Sequence, residues 1–501
     1  MDTNTTKTRL TKAWLSQNQN LPVNKKETII QIGEGNFMRG FLDWMLHQVH
    51  RQGLYDGYVV SIQPTPHGKV VPVLQAQDNL YTTILRGKQA GEVIDQAEII
   101  ESISRSINPY TNWTDVLKLA QSPDIKWMFS NTTEAGLVYQ QEEYEPSQAP
   151  LSFPGKVTAF LFERYQYFDG SLQAGLYLVP CELIENNGQE LKRIVLQIAK
   201  DWELPQAFLD WVVKANIFCN TLVDRIVPGF PKGEEQAWVE RLGYDDHLLT
   251  VAEPYHLFVV EPEKPIDDKI PFQEAGLEVK WGSTEHYREI KVRLLNGLHT
   301  MMFAICYLSG EKTVSSALEN TTLRPFIEKS LKEELVPVVV ADEEEKRAYA
   351  DSVLERFENP FLAHQWTDIG LNAIYKFRTR LLPTLKDYEK INQVPERLIF
   401  SLAALLVYMK PTEREGAFLQ GEVNGERHTI RDTEQTLLFL EGVWHSYEEN
   451  ETSLEDTVFQ ILENEHLWGK EQGLKVYHYK VLAYVQELLE NKPDVLLSRF
   501  I

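Results

Sequence analysis

The first part of the chain alternates short apolar runs with segments of helical periodicity. Apolar runs of four to eight residues between turn residues predict buried strands, and apolar positions repeated at helical spacing predict helices. The predicted strands are Thr28–Ile32, Tyr58–Gln63, Leu80–Arg86, Val93–Ser102, Lys126–Ser130, Gly175–Cys181 and Phe218–Val223. The predicted helices run from the turn at 33–37 to about Gln52, and over 113–120, 154–168 and 188–216. This alternation over 28–230 predicts an α/β domain with a mostly parallel sheet.

The pattern changes near Glu285, where strand signals become scarce and long amphipathic patterns follow one another. Helices are predicted over 286–308, 313–330, 341–357, 366–381, 393–409, 432–448, 453–464 and 474–490. A chain of 501 residues is too long for a single core. We therefore predict a polar lead-in over 1–27 with one short helix, an α/β domain over 28–284 and an all-helical domain over 285–501.

A glycine-containing turn, Gly33-Glu34-Gly35, joins the first predicted strand to the first long helix. This order suits the phosphates of a dinucleotide, because glycines let the backbone approach and the helix N-terminus is partially positive. Met38 occupies the place of the usual third glycine, and a plain tight turn is the alternative. The candidate cofactor residues are Ile32, Gly33, Gly35, Asn36, Phe37, Asn131 and Thr132.

Polar residues also follow other predicted strands. The second strand ends at 63–65 in Gln-Pro-Thr, without the carboxylate that usually binds the ribose of NAD and without an arginine for NADP. The missing arginine favours NAD over NADP. Asn131 and Thr132 suit a cofactor crevice, but such residues equally suit a helix N-cap. Asn187, followed by Gly188, could direct its amide into the crevice or simply form a turn.

The stretch YREIKVRLLNGLHT at 287–300 places three groups that handle protons and carbonyl oxygens in an apolar helical run, namely Lys291, Asn296 and His299. On an α-helix, Asn296 lies roughly 140° and His299 roughly 80° around the axis from Lys291, so all three can share one broad face. The axial rise from the lysine to the histidine is about 12 Å. These residue types suit a lysine acid/base with an amide donor and an imidazole nearby. The alternative is an amphipathic helix with a solvated lysine, an Asn-Gly turn and a partly buried histidine.

Acidic residues outnumber basic ones by 73 to 50, which gives a net charge of −23. Such a charge repels phosphate backbones and anionic lipid, so we expect neither nucleic acid nor a membrane surface as a partner. An anionic substrate would need local cations. Lys376 and Arg380 lie four residues apart, hence on one helical face, and with Arg356 and His364 they are the candidate substrate-binding residues. A helix end that balances its dipole before Pro383 is the alternative.

Neither a metal site nor a disulfide framework is predicted. The three cysteines fit no zinc spacing and are expected to be reduced, as in an intracellular protein. His47 and His50 lie three residues apart without a further ligand, so a surface pair is expected. The first residues lack the apolar core of a signal peptide, and no run of about 18 apolar residues occurs. We therefore expect a cytoplasmic location.

Seven ordered stretches resemble the mannitol dehydrogenase family of polyol-specific long-chain dehydrogenases. They are IIQIGEGNFMRGF at 29–41, FSNTTEAG at 129–136, PCELIENNG at 180–188, TLVDRIV at 221–227, KVRLLNGLHT at 291–300, RFENPFLAHQ at 356–365 and KFRTRLLP at 376–383. Lys291, Asn296 and His299 match the family's K-x4-N-x2-H signature. The resemblance implies a Rossmann-like NAD-binding domain, a helical second domain and metal-independent hydride transfer.

The same resemblance implies a role for each catalytic candidate. Lys291 would exchange a proton with the reacting oxygen of the substrate, and Asn296 and Asn187 would donate hydrogen bonds to that oxygen. His299 would orient the lysine or bind a substrate hydroxyl.

The substrate is expected to be a sugar acid. The pair Glu182-Leu183 departs from the Asp-Asn found in mannitol-specific members of the family. A fructuronate reductase and a mannitol-type dehydrogenase of neutral polyols are the alternative enzymes. A regulatory protein that senses NADH is the alternative outside catalysis, and the intact lysine, asparagine and histidine argue against it.

Overall fold

The computed structural model describes residues 8–17, 25–423, 425–470 and 474–501, which divide into two compact units. The first unit contains the residues up to Arg86 and Val93–Thr284. The second contains Gly87–Glu92 and Glu285–Ile501. Part of the predicted lead-in lies outside the described residues. In its described part, the Thr11 hydroxyl accepts a hydrogen bond from a backbone amide and caps one short helix, α1 (Lys12–Leu15).

The first unit is built from strands and helices in alternation. Its strands are β1 (Lys26–Ile32), β2 (Gly57–Ile62), β3 (Tyr81–Gln89), β4 (Glu92–Ile100), β5 (Ile103–Ile107), β6 (Trp127–Ser130), β7 (Tyr177–Pro180), β8 (Ile217–Asp224), β9 (Thr250–Ala252), β10 (Leu257–Pro262) and β11 (Val279–Trp281). Its helices are α2 (Asn36–Gly40), α3 (Leu42–Arg51), α4 (Val70–Ala76), α5 (Trp113–Ala120), α6 (Phe153–Tyr167), α7 (Asn187–Asp201), α8 (Gln206–Ala215) and α9 (Glu235–Leu242), with a 3-10 turn at Leu172–Ala174.

Eight of these strands form one sheet in the order β11-β10-β8-β7-β6-β1-β2-β5. The pairs from β8 to β5 are parallel, while β10 runs antiparallel to β8 and parallel to β11. The prediction of a mostly parallel α/β sheet is therefore confirmed. Strands β3, β4 and β9 form a separate sheet in the order β4-β3-β9.

Both faces of the large sheet are covered, which explains the nearly continuous apolar runs of its central strands. Successive strand residues point to opposite faces. Accordingly, Ile29 of β1 packs in one apolar cluster with residues of α3 such as Met45, whereas Ile30 packs in a second cluster with residues of α5 to α8 such as Phe160. The carboxyl end of β1 is thereby held rigidly at the glycine turn.

Two long helices predicted in this unit are each divided. The pattern that runs to about Gln52 breaks at Phe41 into α2 and α3, because Phe41 leaves the helical region with φ −127° and ψ −82°. The predicted helix 188–216 becomes α7 and α8, since Glu203 adopts a positive φ of 51° and Pro205 lacks an amide hydrogen. Strands β5, β9, β10 and β11 were not predicted.

The second unit is mostly helical. Its α-helices are α10 (Thr284–Ile290), α11 (Gly297–Leu308), α12 (Val314–Glu319), α13 (Leu323–Lys329), α14 (Glu343–Phe357), α15 (Trp366–Ile369), α16 (Ala373–Arg380), α17 (Leu382–Lys390), α18 (Glu396–Tyr408), α19 (Glu434–Glu448), α20 (Leu454–Glu463), α21 (Glu465–Trp468), α22 (His478–Glu490) and α23 (Pro493–Leu496). Two π-helical segments, Lys291–Asn296 and Ser330–Leu335, and three 3-10 turns, Val336–Val338, Leu474–Tyr477 and Leu497–Arg499, complete it.

The prediction of an all-helical second domain needs one correction. A three-stranded antiparallel sheet is formed by β12 (Glu413–Glu415), β13 (Phe418–Val423) and β14 (Glu426–Ile430). Its strands carry many charged and exposed side chains, so the apolar alternation that marks a strand is weak there.

Helix α11 is the centre of the second unit. Ten of its residues are buried, on every side of the helix, and the apolar ones from Leu298 to Leu308 pack in one large cluster with residues of α18 and its neighbours. A helix that is apolar all round is an interior helix. It therefore provides a rigid support for His299 in its first turn. Within the described residues, no helix is both long and apolar enough to cross a bilayer.

Candidate active site

The catalytic candidates Lys291 and Asn296 are the first and last residues of a π-helical turn. This corrects the α-helical geometry expected for them. Hydrogen bonds from i to i+5 give more residues per turn than in an α-helix, so Asn296 lies about one turn beyond Lys291 instead of roughly 140° away. From Asn296 to His299 the chain is α-helical again, which leaves these two about 60° apart around the axis. The π turn therefore brings the lysine and the amide toward one face.

The side-chain amide of Asn296 has no hydrogen-bond partner within the described residues, whereas its backbone oxygen is engaged. The Thr300 hydroxyl donates to that oxygen at 2.9 Å. Arg380 Nη1 lies 3.5 Å from the same oxygen. The backbone of the turn is thus held while the amide remains able to bind another group.

His299 is enclosed by aromatic rings. Its ring lies 4.0 Å from the ring of Phe357 and 5.2 Å from that of His364. The side chain as a whole is half-buried, but Nε2 is buried and has no hydrogen-bond partner in the described structure. Burial, reinforced by the positive charges nearby, holds the pKa of His299 well below its ordinary value. It is therefore a neutral imidazole near pH 7.

The four predicted substrate-binding residues converge on His299. Arg356, His364, Lys376 and Arg380 are the groups whose positive charge lowers the pKa of that histidine, in addition to burial. Burial also lowers the pKa of Lys376 and of Arg380, and for Lys376 the charge of Arg380 adds to the effect. Cations are thus concentrated beside the π turn that carries the catalytic candidates, in a strongly acidic protein.

Lys376 and Arg380 lie on the same side of α16, as their spacing predicted. The Lys376 ammonium donates to the Ile369 carbonyl at 2.9 Å, and Arg380 Nη1 donates to the Thr300 hydroxyl at 3.1 Å. Arg378, between them in sequence, turns elsewhere and lies over the ring of Tyr375. In the part of the chain that is described, neither Lys376 nor Arg380 forms an ion pair with a carboxylate. Balancing the helix dipole, the alternative role, does not explain why the side chains of Lys376 and Arg380 both lie near His299.

The glycine turn of the first unit has the geometry of a close backbone approach. Gly33 has a φ of +110°, and a Cβ there would lie 2.4 Å from the Asn131 carbonyl oxygen. At Gly35 nothing lies within 4 Å of the position that a Cβ would take. Gly40 takes over the packing role of the missing third glycine, because a Cβ there would approach Val227 to 2.9 Å.

Arg39 stabilises this turn through hydrogen bonds from its guanidinium. This role was not predicted from the sequence. Its buried guanidinium donates to the Glu34 carbonyl at 2.5 Å, the Asn36 side-chain oxygen at 2.6 Å and the Thr250 hydroxyl at 3.3 Å. The predicted residue Ile32 ends β1 in the core, and Phe37 stacks on Phe41. The turn is therefore a fixed structure with an exposed outer side at 35–36.

Asn131 and Thr132 follow β6 without starting a helix, so the helix-cap alternative is wrong. Asn131 donates to the Cys181 carbonyl at 2.8 Å, and the amide and hydroxyl of Thr132 both donate to Glu182. Ser130 donates to the other oxygen of this carboxylate, and burial raises the pKa of Glu182. Glu182 thus fixes the loop beside the glycine turn, a role that its sequence position alone did not reveal.

The predicted role of Asn187 lacks structural support. The side chain is fully buried, its nitrogen donates to the Pro180 and Glu182 carbonyls and lies 2.9 Å from the Thr221 hydroxyl, and its oxygen accepts from the Thr221 amide. An amide has two donor hydrogens, and both are engaged here. Asn187 therefore ties β7 to β8, and a bond to a substrate oxygen would require it to release one of these partners.

The cysteines and the histidines of the first helical region have structural surroundings. Among the described residues, no three His, Cys, Asp or Glu side chains form a metal-binding group. The three cysteines are free and buried. His47 is buried rather than on the surface, which corrects the prediction, and burial lowers its pKa to about 3. His50 stacks on Tyr58 and bonds the Gly57 carbonyl.

Both units match known protein families. Residues 27–273 match the mannitol dehydrogenase Rossmann domain, and residues 283–486 match the mannitol dehydrogenase C-terminal domain. The quoted stretches most resemble one member of that family, tagaturonate reductase, also called altronate oxidoreductase.

Curated relatives agree with this resemblance. An altronate oxidoreductase of Halalkalibacterium halodurans is 51% identical over 93% of this chain and 90% of its own length. The enzyme of the same name from Bacillus subtilis is 41% identical over 88% of both chains. That of Escherichia coli O1:K1 is 38% identical over 89% of this chain and 90% of its own length.

Solved structures agree in fold. A substrate-free D-sorbitol dehydrogenase superposes with a TM-score of 0.78 at 21% identity, covering 97% of this chain and 99% of its own. The Pseudomonas fluorescens mannitol 2-dehydrogenase, in a ternary complex with NAD and D-mannitol, gives a TM-score of 0.67 at 20% identity, covering 98% and 99%. The two matched domains and the relatives above 30% identity lead to one conclusion: the chain belongs to the mannitol dehydrogenase family.

Proposed function

We propose that this protein is an NAD-dependent oxidoreductase that reduces D-tagaturonate to D-altronate, reversibly and without a metal, in the breakdown of hexuronates. The names of its relatives at 38–51% identity support the reaction. The observation that carries the proposal is the group of cations around His299, beside a lysine and an asparagine of the family signature. A keto acid has one carbonyl to reduce and one carboxylate to bind, and the second unit contains residues suited to each.

The first unit fits a dinucleotide. The strand, the turn with Gly33 at φ +110° and the helix α2 form a cradle that a side chain at Gly33 would obstruct. At the end of β2, the buried Gln63 Oε1 has no partner among the described residues and can accept a hydrogen bond from a ribose hydroxyl. NADH, when bound, supplies the hydride for the carbonyl carbon. Ile32 to Phe37 and Asn131 to Thr132 would bind and orient it.

Residues of the second unit would transfer the proton to and from the reacting oxygen of the substrate. During reduction, Lys291 Nζ donates a proton to the oxygen that becomes the hydroxyl, and during oxidation it takes that proton back. Asn296 donates a hydrogen bond to the same oxygen while negative charge develops there. His299, neutral because of burial and the surrounding cations, can bind a hydroxyl but adds no charge. The lysine is therefore the acid/base and the histidine an orienting group.

The cations would bind the carboxylate of the substrate. Arginine binds a carboxylate through two parallel N–H bonds, and Arg356 and Arg380 both approach His299. Lys376 adds positive charge from the same direction, whereas burial lowers the pKa of His364 and favours its neutral imidazole, which can still form a hydrogen bond. Charge-assisted hydrogen bonds contribute about 1.5–3 kcal/mol each, so neutral ketoses should bind far more weakly than uronates.

The test of the proposal is direct turnover. We expect NADH oxidation on addition of D-tagaturonate, and NAD reduction on addition of D-altronate, both followed by NADH absorbance. The alternative regulatory protein would bind NADH with no turnover of either sugar acid. A second uronate, D-fructuronate, differs at a single carbon, and its reductase is the nearest alternative enzyme.

We expect NADH to bind more tightly than NADPH. The end of β2 at 62–65 carries no arginine that could pair with the additional phosphate. Fluorescence titration of the protein with each reduced cofactor measures the two dissociation constants. Tighter binding of NADPH would contradict the assignment.

Cofactor affinity should depend on pH through Glu34, which lies within the glycine turn. Burial raises the pKa of Glu34 to about 7. Above that pH the carboxylate is negative and repels a pyrophosphate, and below it the group is neutral. A repulsion of about 1.4 kcal/mol between the charged group and the pyrophosphate, with both protonation states still partly populated at each pH, makes NAD bind about fivefold more tightly at pH 6 than at pH 8.

Two variants separate the contributions to this pH effect. Glu34→Gln should lose most of the difference in NAD affinity between the two pH values. Asp43 is also buried with a pKa raised to about 7, so Asp43→Asn shows how much of the dependence comes from that neighbour. An unchanged pH dependence in Glu34→Gln would contradict the role of Glu34.

We also propose a cytoplasmic location. The reaction consumes NADH, which the cytoplasm supplies, and the three cysteines are free thiols. Localisation of a tagged protein by cell fractionation tests this.

A further inference from the structure

Arg380 is tied to the catalytic turn by the hydroxyl of Thr300. Arg380 Nη1 donates to Thr300 Oγ1 at 3.1 Å, and that hydroxyl donates to the Asn296 carbonyl at 2.9 Å. The directions of both bonds are fixed, because a guanidinium only donates and a carbonyl only accepts. The single proton of the hydroxyl points to Asn296, so a lone pair faces the arginine.

Thr300 is well suited to hold this geometry. It is 4% exposed, and its hydroxyl makes the bond to the carbonyl four residues earlier that threonine commonly makes in helices. A β-branched side chain has few accessible rotamers, so the oxygen keeps its place. Helix α11, which carries Thr300, is buried on every side.

The anchored guanidinium keeps donors for a ligand. A guanidinium has five N–H donors in a rigid plane, and among the residues that the structure describes only Nη1 of Arg380 is engaged, with Thr300 and weakly with Asn296. Fixing one nitrogen of a rigid plane sets the direction of the other donors. An arginine without this anchor would sample many rotamers and lose part of its binding free energy as entropy.

We propose that Thr300 is a positioning residue that directs the Arg380 guanidinium and thereby sets the preference for a carboxylate-bearing substrate over a neutral one. The inference rests on the proposed function, in which Arg380 binds the carboxylate. Thr300 itself contacts neither the substrate nor the cofactor in this account. Its effect is on specificity, through Arg380.

The test compares Thr300→Val, which keeps the shape and removes the hydroxyl, with Thr300→Ser, which keeps the hydroxyl. We expect Thr300→Val to raise the KM for D-tagaturonate about tenfold, with kcat and the NADH dissociation constant within about threefold of wild type. The specificity constant for the neutral ketose D-fructose should change less than about threefold. Thr300→Ser should stay within about threefold of wild type for both substrates.

A double-mutant cycle with Arg380→Met tests whether Thr300 acts through the arginine. In the Arg380→Met background, Thr300→Val should leave the ratio of tagaturonate to fructose specificity constants unchanged. Equal losses for both substrates, or an unchanged ratio in the single variant, would overturn the inference. If Thr300→Val does not fold, the smaller Thr300→Ala replaces it, with the same expectations.

Failure of this inference is distinguishable from failure of the proposed function. Wild-type protein that prefers fructose to tagaturonate contradicts the proposed function itself. Wild-type protein that prefers tagaturonate, together with a Thr300→Val variant of unchanged preference, contradicts only the role of Thr300.

Discussion

Replacing Lys291 with alanine is expected to lower kcat for tagaturonate reduction by about 10²–10⁴-fold, the range that a positioned acid/base contributes. The substrate oxygen would then develop negative charge with no proton donor at the start of the π turn. NADH binding should stay within about threefold of wild type, because the residues proposed to bind it lie in the first unit. Single-turnover kinetics with NADH already bound separates the chemical step from binding.

Lys312→Ala is the matched control for this change. Its side chain is 74% exposed and pairs with Glu426 at 3.7 Å, so its removal should leave kcat unchanged. Wild-type activity should survive incubation with EDTA. A Lys291→Ala variant within tenfold of wild-type turnover, or loss of wild-type activity in EDTA, would show that the acid/base assignment is wrong.

Replacing Arg380 with methionine is expected to raise the KM for tagaturonate about ten- to a hundredfold. The loss of charge-assisted bonds to a carboxylate in a partly buried site costs about 1.5–3 kcal/mol. The effect on fructose should be small, since a neutral ketose has no charge to pair with the arginine. Steady-state kinetics with both substrates at saturating NADH measures the difference.

Arg378→Met provides a control on the same helix. It removes the same charge two residues away, but Arg378 bonds the His466 carbonyl and lies over the ring of Tyr375. We expect its KM for tagaturonate to stay within about threefold of wild type. If the two variants lose the same amount, the effect reflects general electrostatics and not a bond to the substrate.

The parallel sheet and the succession of helices were predictable because burial on both faces leaves apolar runs in the sequence. The common direction of Lys376 and Arg380 was predictable for a similar reason, since helical spacing sets it. Their convergence on His299 was not, because it depends on the packing of α14 and α16 around α11. Sequence periodicity indicates which face of a single helix is buried, but it does not indicate which helices pack against one another.

Two features of the structure, the π turn and the burial of Arg39, have no recognisable signal in the local sequence. A third, the small antiparallel sheet, has a signal that the prediction did not use. The π turn at 291–296 has ordinary helix-forming residues, and its wider winding is visible only in the structure. Arg39 was not predicted because an arginine in a helix is usually exposed, whereas here it is 3% exposed and bonds Glu34 and Asn36 at the turn and the Thr250 hydroxyl of β9. The Asn424-Gly425 pair is a recognised hairpin signal, and it marked the small sheet that the sequence analysis missed.

Side-by-side specificity constants for D-tagaturonate, D-fructuronate and D-fructose with NADH test the central claim most directly. The cations around His299 predict that both uronates exceed fructose by at least tenfold, and the relatives predict that tagaturonate exceeds fructuronate. A larger value for fructuronate would keep the sugar-acid site and change only the epimer. A larger value for fructose would contradict the account, because the cations would then have no anion to bind.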